Sequence, residues 1–367
     1  MAARAPAGGP PPLSDNGLAQ WLVAQWAGPA RRPAAQCLRP LSWLYRGLSA
    51  LHAGLYRSGL RRVQHAPVPV LVVGNLVTGG AGKTPAVIAL VGLLRAQGFT
   101  PGVISRGHGR QGLAVQAVHR DSPAAEVGDE PLLIHLRTGA PVAVGADRAA
   151  AARALCAAHP GVNLLVADDG LQHHRLHHDR VVLMFDERGA GNGLHLPAGP
   201  LRQRLPAALP PGTLVLYNAA APSTTLPGFV GLRRLAGVLP LADWWAGRPV
   251  PADGGWSALR SALRSNQPAA GPLLAAAGLA RPEPFFHMLV AAGLAITRLP
   301  LADHHPLRPL PWAADTPDVI VTEKDAVKLP AGSAGRTRVW VAPLDFLPEP
   351  AFAQALRTLC APLLKPP

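Results

Sequence analysis

A lysine and a threonine close a glycine-rich turn near the first fifth of this 367-residue chain. A short apolar run at 70–73, Val-Leu-Val-Val, leads into Gly74-Asn75-Leu76-Val77-Thr78-Gly79-Gly80-Ala81-Gly82-Lys83-Thr84-Pro85, and a helix-compatible run follows at 86–95. Strand, glycine-rich loop ending in Gly-Lys-Thr, then helix is the layout of a phosphate-binding P-loop. The loop Val77, Thr78, Gly79, Gly80, Ala81 and Gly82 would cradle phosphate oxygens with its N–H groups at the positive end of the helix. Lys83 would reach the outer phosphates of a nucleoside triphosphate, and the Thr84 hydroxyl would bind Mg2+. The usual pattern places a glycine where this chain has Val77, so the loop is atypical, with Gly79 and Gly80 keeping it supple.

Other residues have types suited to the same chemistry. The apolar run 162–167 ends in Asp168-Asp169-Gly170. A strand ending in Asp downstream of a P-loop is a Walker B arrangement, with a carboxylate near the metal. Asp and Gly also favour plain turns, but the P-loop upstream makes metal chemistry the stronger reading. Ser105-Arg106-Gly107 follows another strand, where Arg106 could clamp phosphate oxygens. Gly128-Asp129-Glu130-Pro131 stands at a helix start, so Asp129 is either an N-cap or a general base for an acceptor hydroxyl. Asp303-His304-His305 reads as an acid/base pair or as a surface loop. Thr322-Glu323-Lys324-Asp325 reads as a nucleotide-edge contact or a solvated turn. His173, His174, His177 and His178 invite a zinc reading. A strand beginning near 181 leaves no room for helical ligand spacing, so they read as polar loop residues beside the phosphates.

The elements that must position these residues alternate. Strands are expected at 70–73, 102–105, 141–144, 162–167, 181–185 and 213–216, with helices at 86–97, 129–137 and 148–159. That alternation predicts an α/β fold with a doubly wound, mostly parallel sheet. A second, smaller α/β unit is expected from strands at 273–277, 295–299, 318–322 and 338–341 and helices at 284–292 and 351–360. The expected organisation is a loose segment and amphipathic helical arm at 1–65, a P-loop core at 66–218, a linker with some strand at 219–271 and an α/β unit at 272–367.

Charge is unevenly spread. Between Asp15 and Asp121 the chain holds eleven arginines, one lysine and no acid, within a formal net charge of +14. In that window Leu41, Leu44, Tyr45, Leu48, Leu51, His52 and Leu55 recur at helical spacing, with Trp43 at the edge and Arg46, Arg57, Arg61 and Arg62 alongside. Such a stripe fits an interfacial helix or one packed on the protein's own core; the lack of acids favours a membrane surface. No run reaches the about 18 apolar residues of a spanning helix, and no signal peptide is evident. Cys37, Cys156 and Cys360 lie far apart, which fits a reducing compartment.

Taken in order, the motifs around Gly74–Pro85, Ser105-Arg106-Gly107, Gly128-Asp129-Glu130-Pro131, Asp168-Asp169-Gly170-Leu171-Gln172-His173, Leu196-Pro197-Ala198-Gly199-Pro200-Leu201-Arg202, Ala302-Asp303-His304-His305 and the 322–328 run, Thr-Glu-Lys-Asp-Ala-Val-Lys, resemble the tetraacyldisaccharide 4'-kinase family of Gram-negative bacteria. The resemblance covers about residues 41–341. His108 departs from it, standing where the family has Tyr. The stretch 252–271 is longer than the family suggests, and the first 16 residues are extra.

The resemblance implies transfer of the γ-phosphate of Mg2+-bound ATP to the 4'-hydroxyl of a tetraacyldisaccharide 1-phosphate, in lipid A biosynthesis. It implies a peripheral protein on the cytoplasmic face of the inner membrane, with the glycolipid and the membrane surface as partners, no nucleic acid and no obligate protein partner. Asp129 and His304 would form the catalytic dyad, with Lys83 and Arg106 assisting. Thr84, Asp168 and Asp169 would face the metal. Glu130, Arg148, Gln172, His173 and Arg202 would contact substrate or phosphate. A membrane-associated partitioning ATPase is the alternative, but its signature lysine before the paired glycines is Thr78 here. A nucleic-acid binder is disfavoured by an aromatic content of 5% and the lack of an RNA-binding signature.

Overall fold

The computed structural model describes residues 15–265 and 272–364. The Pro/Gly-rich start read as loose lies mostly outside these residues, as does the end of the long 252–271 stretch. An arm of two helices comes first, α1 (Asp15–Trp26) and α2 (Pro33–Arg57). The main unit then alternates: β1 (Val70–Gly74), α3 (Lys83–Ala96), β2 (Pro101–Ser105), β3 (Gln116–Val118), α4 (Ala124–Val127), α5 (Asp129–Thr138), β4 (Val142–Val144), α6 (Arg148–Ala158), β5 (Leu164–Asp168), β6 (Arg180–Asp186), β7 (Thr213–Asn218) and β8 (Phe229–Leu235). The second unit runs through β9 (Leu239–Pro240), α7 (Leu241–Trp245), α8 (Trp256–Ser265), β10 (Leu273–Ala277), α9 (Glu283–Ala291), β11 (Ile296–Pro300), β12 (Asp318–Thr322), α10 (Glu323–Ala326) and β13 (Arg338–Ala342). The chain then returns with β14 (Leu344–Pro348) and α11 (Pro350–Cys360).

Among the described residues, nine strands form one sheet in the order β14-β8-β7-β6-β1-β5-β2-β4-β3, and five form another, β11-β10-β12-β13-β9. Strands β1, β2, β5 and β6 are buried along nearly their whole length and pair in parallel. Strands of this kind, apolar on both faces, need helices on both sides. Helices α3 and α5 pack with Leu90, Leu94, Leu132 and Ile134 on one face. Helix α6 seals the other with Ala149, Ala152 and Leu155. The doubly wound parallel core and the second α/β unit agree with the sequence pattern.

Two features differ from that pattern. The stretch 219–271, expected as a linker with some strand, has its strands built into the two sheets, β8 in the large one and β9 in the second, and also carries helices α7 and α8. Helix α11, expected with the second unit, packs against the large sheet instead: Phe352 is fully buried and its ring meets that of Phe229 edge-on, 5.7 Å between centroids. Its guide is β14, which pairs antiparallel with β8. Period and composition cannot report which sheet a strand joins, because both sheets demand the same apolar run. Of the two readings open for the stripe on α2, the outward one is seen: Leu44, Leu48 and Leu51 are 58–62% exposed. The side of α2 that meets the protein carries the buried Ser42. Its hydroxyl donates to the His195 carbonyl at 2.8 Å and accepts from the Ala198 N–H at 3.0 Å. Among the described residues no helix is long and apolar enough to cross a membrane.

Because α11 is held through Phe352, Phe352→Ala is expected to cost about 3–5 kcal/mol in urea-unfolding stability. A loss under about 1 kcal/mol, the range of ordinary surface substitutions, would show that α11 is not docked on the large sheet.

Candidate active site

Parallel register gathers the strand ends. Val73 of β1 aligns with Asp168 of β5, and Ile104 of β2 with Ala167. The loops after β1, β2 and β5 therefore leave the sheet side by side at its carboxyl edge, where open α/β sheets bind ligands. A cleft of about 730 Å³ opens there. Thr78, Gly79, Gly80, Gly82, Lys83, Thr84, Arg106, Glu130, Arg148, Asp168, Asp169, Gln172, His173, Arg202 and His304 all border it, so the structure brings most of the expected set together. Val77 and Ala81 do not border it. Both side chains are buried, Val77 in a bridge to Leu201. The backbone at Val77 thus ties the loop to the 194–202 segment.

The loop's shape rests on glycine at one demanding point. Gly82 adopts φ +76° as the N-cap of α3, and a Cβ there would lie 2.4 Å from Asn218 Nδ2. Across the cleft, Asp169 (φ 49°) and His304 (φ 59°) are non-glycine residues held in the left-handed region. Each such residue costs on the order of 1–3 kcal/mol and persists where surrounding contacts over-determine it.

Those contacts form a charge lattice. Lys83 Nζ lies 3.3 Å from Asp169 Oδ1 and 3.4 Å from Asn75 Oδ1. Arg202 Nη1 lies 3.4 Å from Asp169 Oδ2 and from Gln172 Oε1, and Gln172 Nε2 donates to the Asn75 carbonyl at 3.0 Å. Arg148 Nη2 donates to the Asp169 carbonyl at 3.4 Å. The adjacent acids are driven apart. Burial, reinforced by the charges of Glu130 and Asp169, pushes Asp168 up to about 7. Burial also opposes ionisation of Asp169, but Lys83 and Arg202 outweigh it and hold that carboxyl below its ordinary value.

Buried polar atoms without partners collect in the same place: Thr78 Oγ1, Arg148 Nε, Asp168 Oδ1 and His173 Nε2. Unsatisfied buried groups are rare in proteins, and a cluster of them at a cleft wall fits a polar ligand. Among the described residues no three His, Cys, Asp or Glu are placed to hold a metal by themselves. A Mg2+ shared with phosphate oxygens needs only one or two carboxylates, and the orphaned Asp168 oxygen fits that need.

Asp129 and His304 meet from opposite units. Asp129 is the first residue of α5, whose N-cap is Gly128 rather than the carboxylate. His304 Nδ1 lies 2.9 Å from Asp129 Oδ2 and 3.1 Å from Oδ1. Asp129 is 5% exposed. Burial pushes its carboxyl up, but the His304 hydrogen bond and the charges of Lys324, His304 and Lys328 outweigh burial and lower it. His304 borders both the cleft and a neighbouring, mostly apolar cavity of about 1060 Å³ that Asp129 also lines. The larger cavity touches neither the glycine loop nor the paired acids. The His108 ring lies beside that of His304, tilted by 56° with ring centroids 5.2 Å apart.

Sequence reasoning gave Asn75 and Arg281 no role and left Lys324 between a nucleotide-edge contact and a solvated turn. Asn75 ties Lys83 to Gln172, Arg281 reaches Glu187 across the units at 2.5 Å, and Lys324 sits beside His304. Asn75 and Lys324 lie inside quoted motifs, which was the available signal; Arg281 carries none.

A lysine loop on one wall of a cleft and an acid–imidazole pair on the other make the chain a P-loop phosphotransferase, since charge neutralisation and proton removal are what phosphoryl transfer to a hydroxyl requires. Residues 34–361 match the family model described as LpxK, tetraacyldisaccharide-1-P 4'-kinase. The tetraacyldisaccharide 4'-kinase of Methylibium petroleiphilum is 54% identical over 94% of this chain and 95% of its own length. That of Leptothrix cholodnii is 51% identical over 95% and 94%. The fold is shared with LpxK from Aquifex aeolicus, crystallised in complex with ATP, at a TM-score of 0.70 and 24% identity over 90% of this chain and 99% of that one. The chain belongs to the tetraacyldisaccharide 4'-kinase family.

His173 supplies a test of this electrostatic picture. Burial, then the charge of Arg148, lowers its pKa to about 4 from 6.5. The unfolded chain then binds the extra proton more readily than the folded one, so this group's contribution is intact above 6.5 and is lost as pH falls towards 4. Thermal unfolding temperature is expected to fall over that window, and His173→Gln to flatten part of the slope. An unchanged slope in the variant would show that His173 is not held neutral.

Proposed function

We propose that the protein transfers the γ-phosphate of ATP to the 4'-hydroxyl of a tetraacyldisaccharide 1-phosphate in lipid A biosynthesis. The observation that carries the reading is the 2.9 Å contact between Asp129 and His304 at a cleft bordered by Lys83, Asp168 and Asp169. Thr78, Gly79, Gly80 and Gly82 hold the donor's phosphates, and Lys83 neutralises the outer ones after exchanging its Asp169 contact for them. Thr84, Asp168 and Asp169 would hold Mg2+, which supplies charge neutralisation on the transferring phosphoryl group when bound. Asp129 takes the proton of the acceptor hydroxyl as the new O–P bond forms and the bond to the ADP leaving oxygen breaks. His304 orients the Asp129 carboxylate through Nδ1. Arg106, Arg148 and Arg202 steady phosphate oxygens, with Glu130, Gln172 and His173 completing the polar wall.

The acceptor lies in a membrane, and α2 offers a means of reaching it. Its exposed leucines, the 63% exposed Trp43 and the arginines of this acid-free segment suit a monotopic helix at an anionic surface. We place the protein on the cytoplasmic face of the inner membrane, where ATP and the glycolipid meet.

Incubation with γ-labelled ATP, Mg2+ and a tetraacyldisaccharide 1-phosphate is expected to move label into the lipid fraction; folded protein that transfers none would overturn the proposal. Asp129→Asn and His304→Ala are expected to lower kcat about 10²–10⁴-fold while ATP binding persists. Wild-type turnover in either variant would remove that residue from the mechanism. For the membrane reading, a Leu44→Asp, Leu48→Asp, Leu51→Asp variant is expected to lose flotation with anionic vesicles. Equal flotation would place the contact elsewhere.

A further inference from the structure

The motif at 322–328 has no part in the mechanism above, yet its side chains converge on it. Thr322 ends β12 and caps α10, its Oγ1 accepting from the Asp325 N–H. The cap sends three successive charged side chains in different directions. Glu323 is buried, with Oε2 2.6 Å from Arg137 Nη1 and Oε1 accepting from Trp244 Nε1 at 2.9 Å. Asp325 is buried against the Gly278 N–H and Lys328 Nζ, at 3.0 and 2.8 Å. Lys324 turns to the cleft, where its Nζ lies 3.0 Å from Glu130 Oε1, 3.0 Å from Asp303 Oδ1 and 3.3 Å from His304 Nε2. Glu130 and Arg137 are seven residues apart on α5, hence on one face. Neighbouring residues of the motif therefore grip α5 near both ends, and Asp129 is its first residue.

An ammonium group can only donate. Its contact with His304 Nε2 uses the ring's lone pair there and leaves the ring proton on Nδ1, facing Asp129. A cation at that distance also opposes a second proton on the ring. The hydrogen bond that His304 donates to Asp129 raises the His304 pKa, burial lowers it, the Asp129 charge raises it, and Lys324 pulls it down while Asp303 adds to the rise; the balance stands above the ordinary histidine value. Lys324 and Lys328 both lower Asp129. Burial disfavours the Lys324 ammonium, but Glu130, Asp129 and Asp303 more than compensate and raise its pKa. The tilted His108 ring completes the surroundings of His304.

We propose that Lys324 is a positioning residue for phosphoryl transfer: it fixes His304 as the Nδ1–H tautomer that donates to Asp129, and through Glu130 it fastens the helix carrying Asp129 to the second unit. The inference rests on the reading of Asp129 as the base, and its test separates the two. Lys324→Met is expected to lower kcat about 10²-fold with KM for ATP unchanged. It also moves the acid limb of the kcat–pH profile to higher pH, because both members of the pair then hold protons more tightly. Lys324→Arg, which keeps the cation, leaves that limb at the wild-type pH. In ¹⁵N-histidine-labelled protein, with His304 assigned through His304→Gln, wild type shows the proton on Nδ1, and Lys324→Met loses that preference. A proton on Nε2 in wild type overturns the inference even if the methionine variant fails to fold, and so does an unmoved acid limb in a folded Lys324→Met. Full activity in Asp129→Asn would instead overturn the reading of the base, leaving the tautomer measurement to judge Lys324.

Discussion

A carboxylate from one half of the molecule holds an imidazole from the other. Asp129 and His304 are 175 positions apart and meet at 2.9 Å only because the second unit is laid against α5 of the first. Removing a buried carboxylate from water is costly unless it is paired and hydrogen-bonded. The second unit supplies that pairing through His304 and Lys324, so the same contacts that satisfy the buried acid also fasten the units together. The ion pairs Arg137–Glu323, Lys324–Glu130 and Arg281–Glu187 lie along the same junction.

The donor side of the cleft depends on a different balance. Two adjacent carboxyls with opposite tendencies face Lys83. Asp169 stays ionised because it has two cations; Asp168 is buried with a single Ser105 hydrogen bond at 3.2 Å and resists ionisation. A cation arriving with a polyphosphate would supply the charge that Asp168 lacks. The orphaned atoms of Thr78, Arg148, Asp168 and His173 state the same need in hydrogen-bonding terms.

The 194–202 segment joins this cleft to the helical arm. Thr78 N–H donates to the Pro200 carbonyl and Arg202 N–H to the Leu76 carbonyl, at 2.8 and 2.7 Å. The same segment receives Ser42 and, through the Arg202 carbonyl at 3.4 Å, the Tyr45 hydroxyl. The exposed apolar stripe of α2 therefore stands one loop away from the phosphate-binding turn. Trp26 pins the arm further, its Nε1 donating to the Pro197 carbonyl at 2.9 Å.

The sequence by itself determined whatever depends on short windows. β-branched runs, turn glycines and the Gly-Lys-Thr ending fixed the strand–loop–helix at 70–95, and parallel alternation implied that Ser105-Arg106 and Asp168-Asp169 would share the carboxyl edge. The ordered motifs carried the family, and with it Asp129 and His304, each of which local reading alone left open to a bland alternative. Tertiary structure decided the rest, because long-range pairing has no local signal. An amphipathic stripe reads the same whether it faces solvent or core, and it is the docking of α2 through Ala35, Ser42 and Tyr45 that turns its leucines outward. An apolar strand does not declare its sheet, and β14 takes α11 back to the first one through its register with β8. Charged residues in a turn after a strand look solvated until another segment is laid against them. Lys324 acquires its meaning only where β12 delivers it between Glu130, Asp303 and His304.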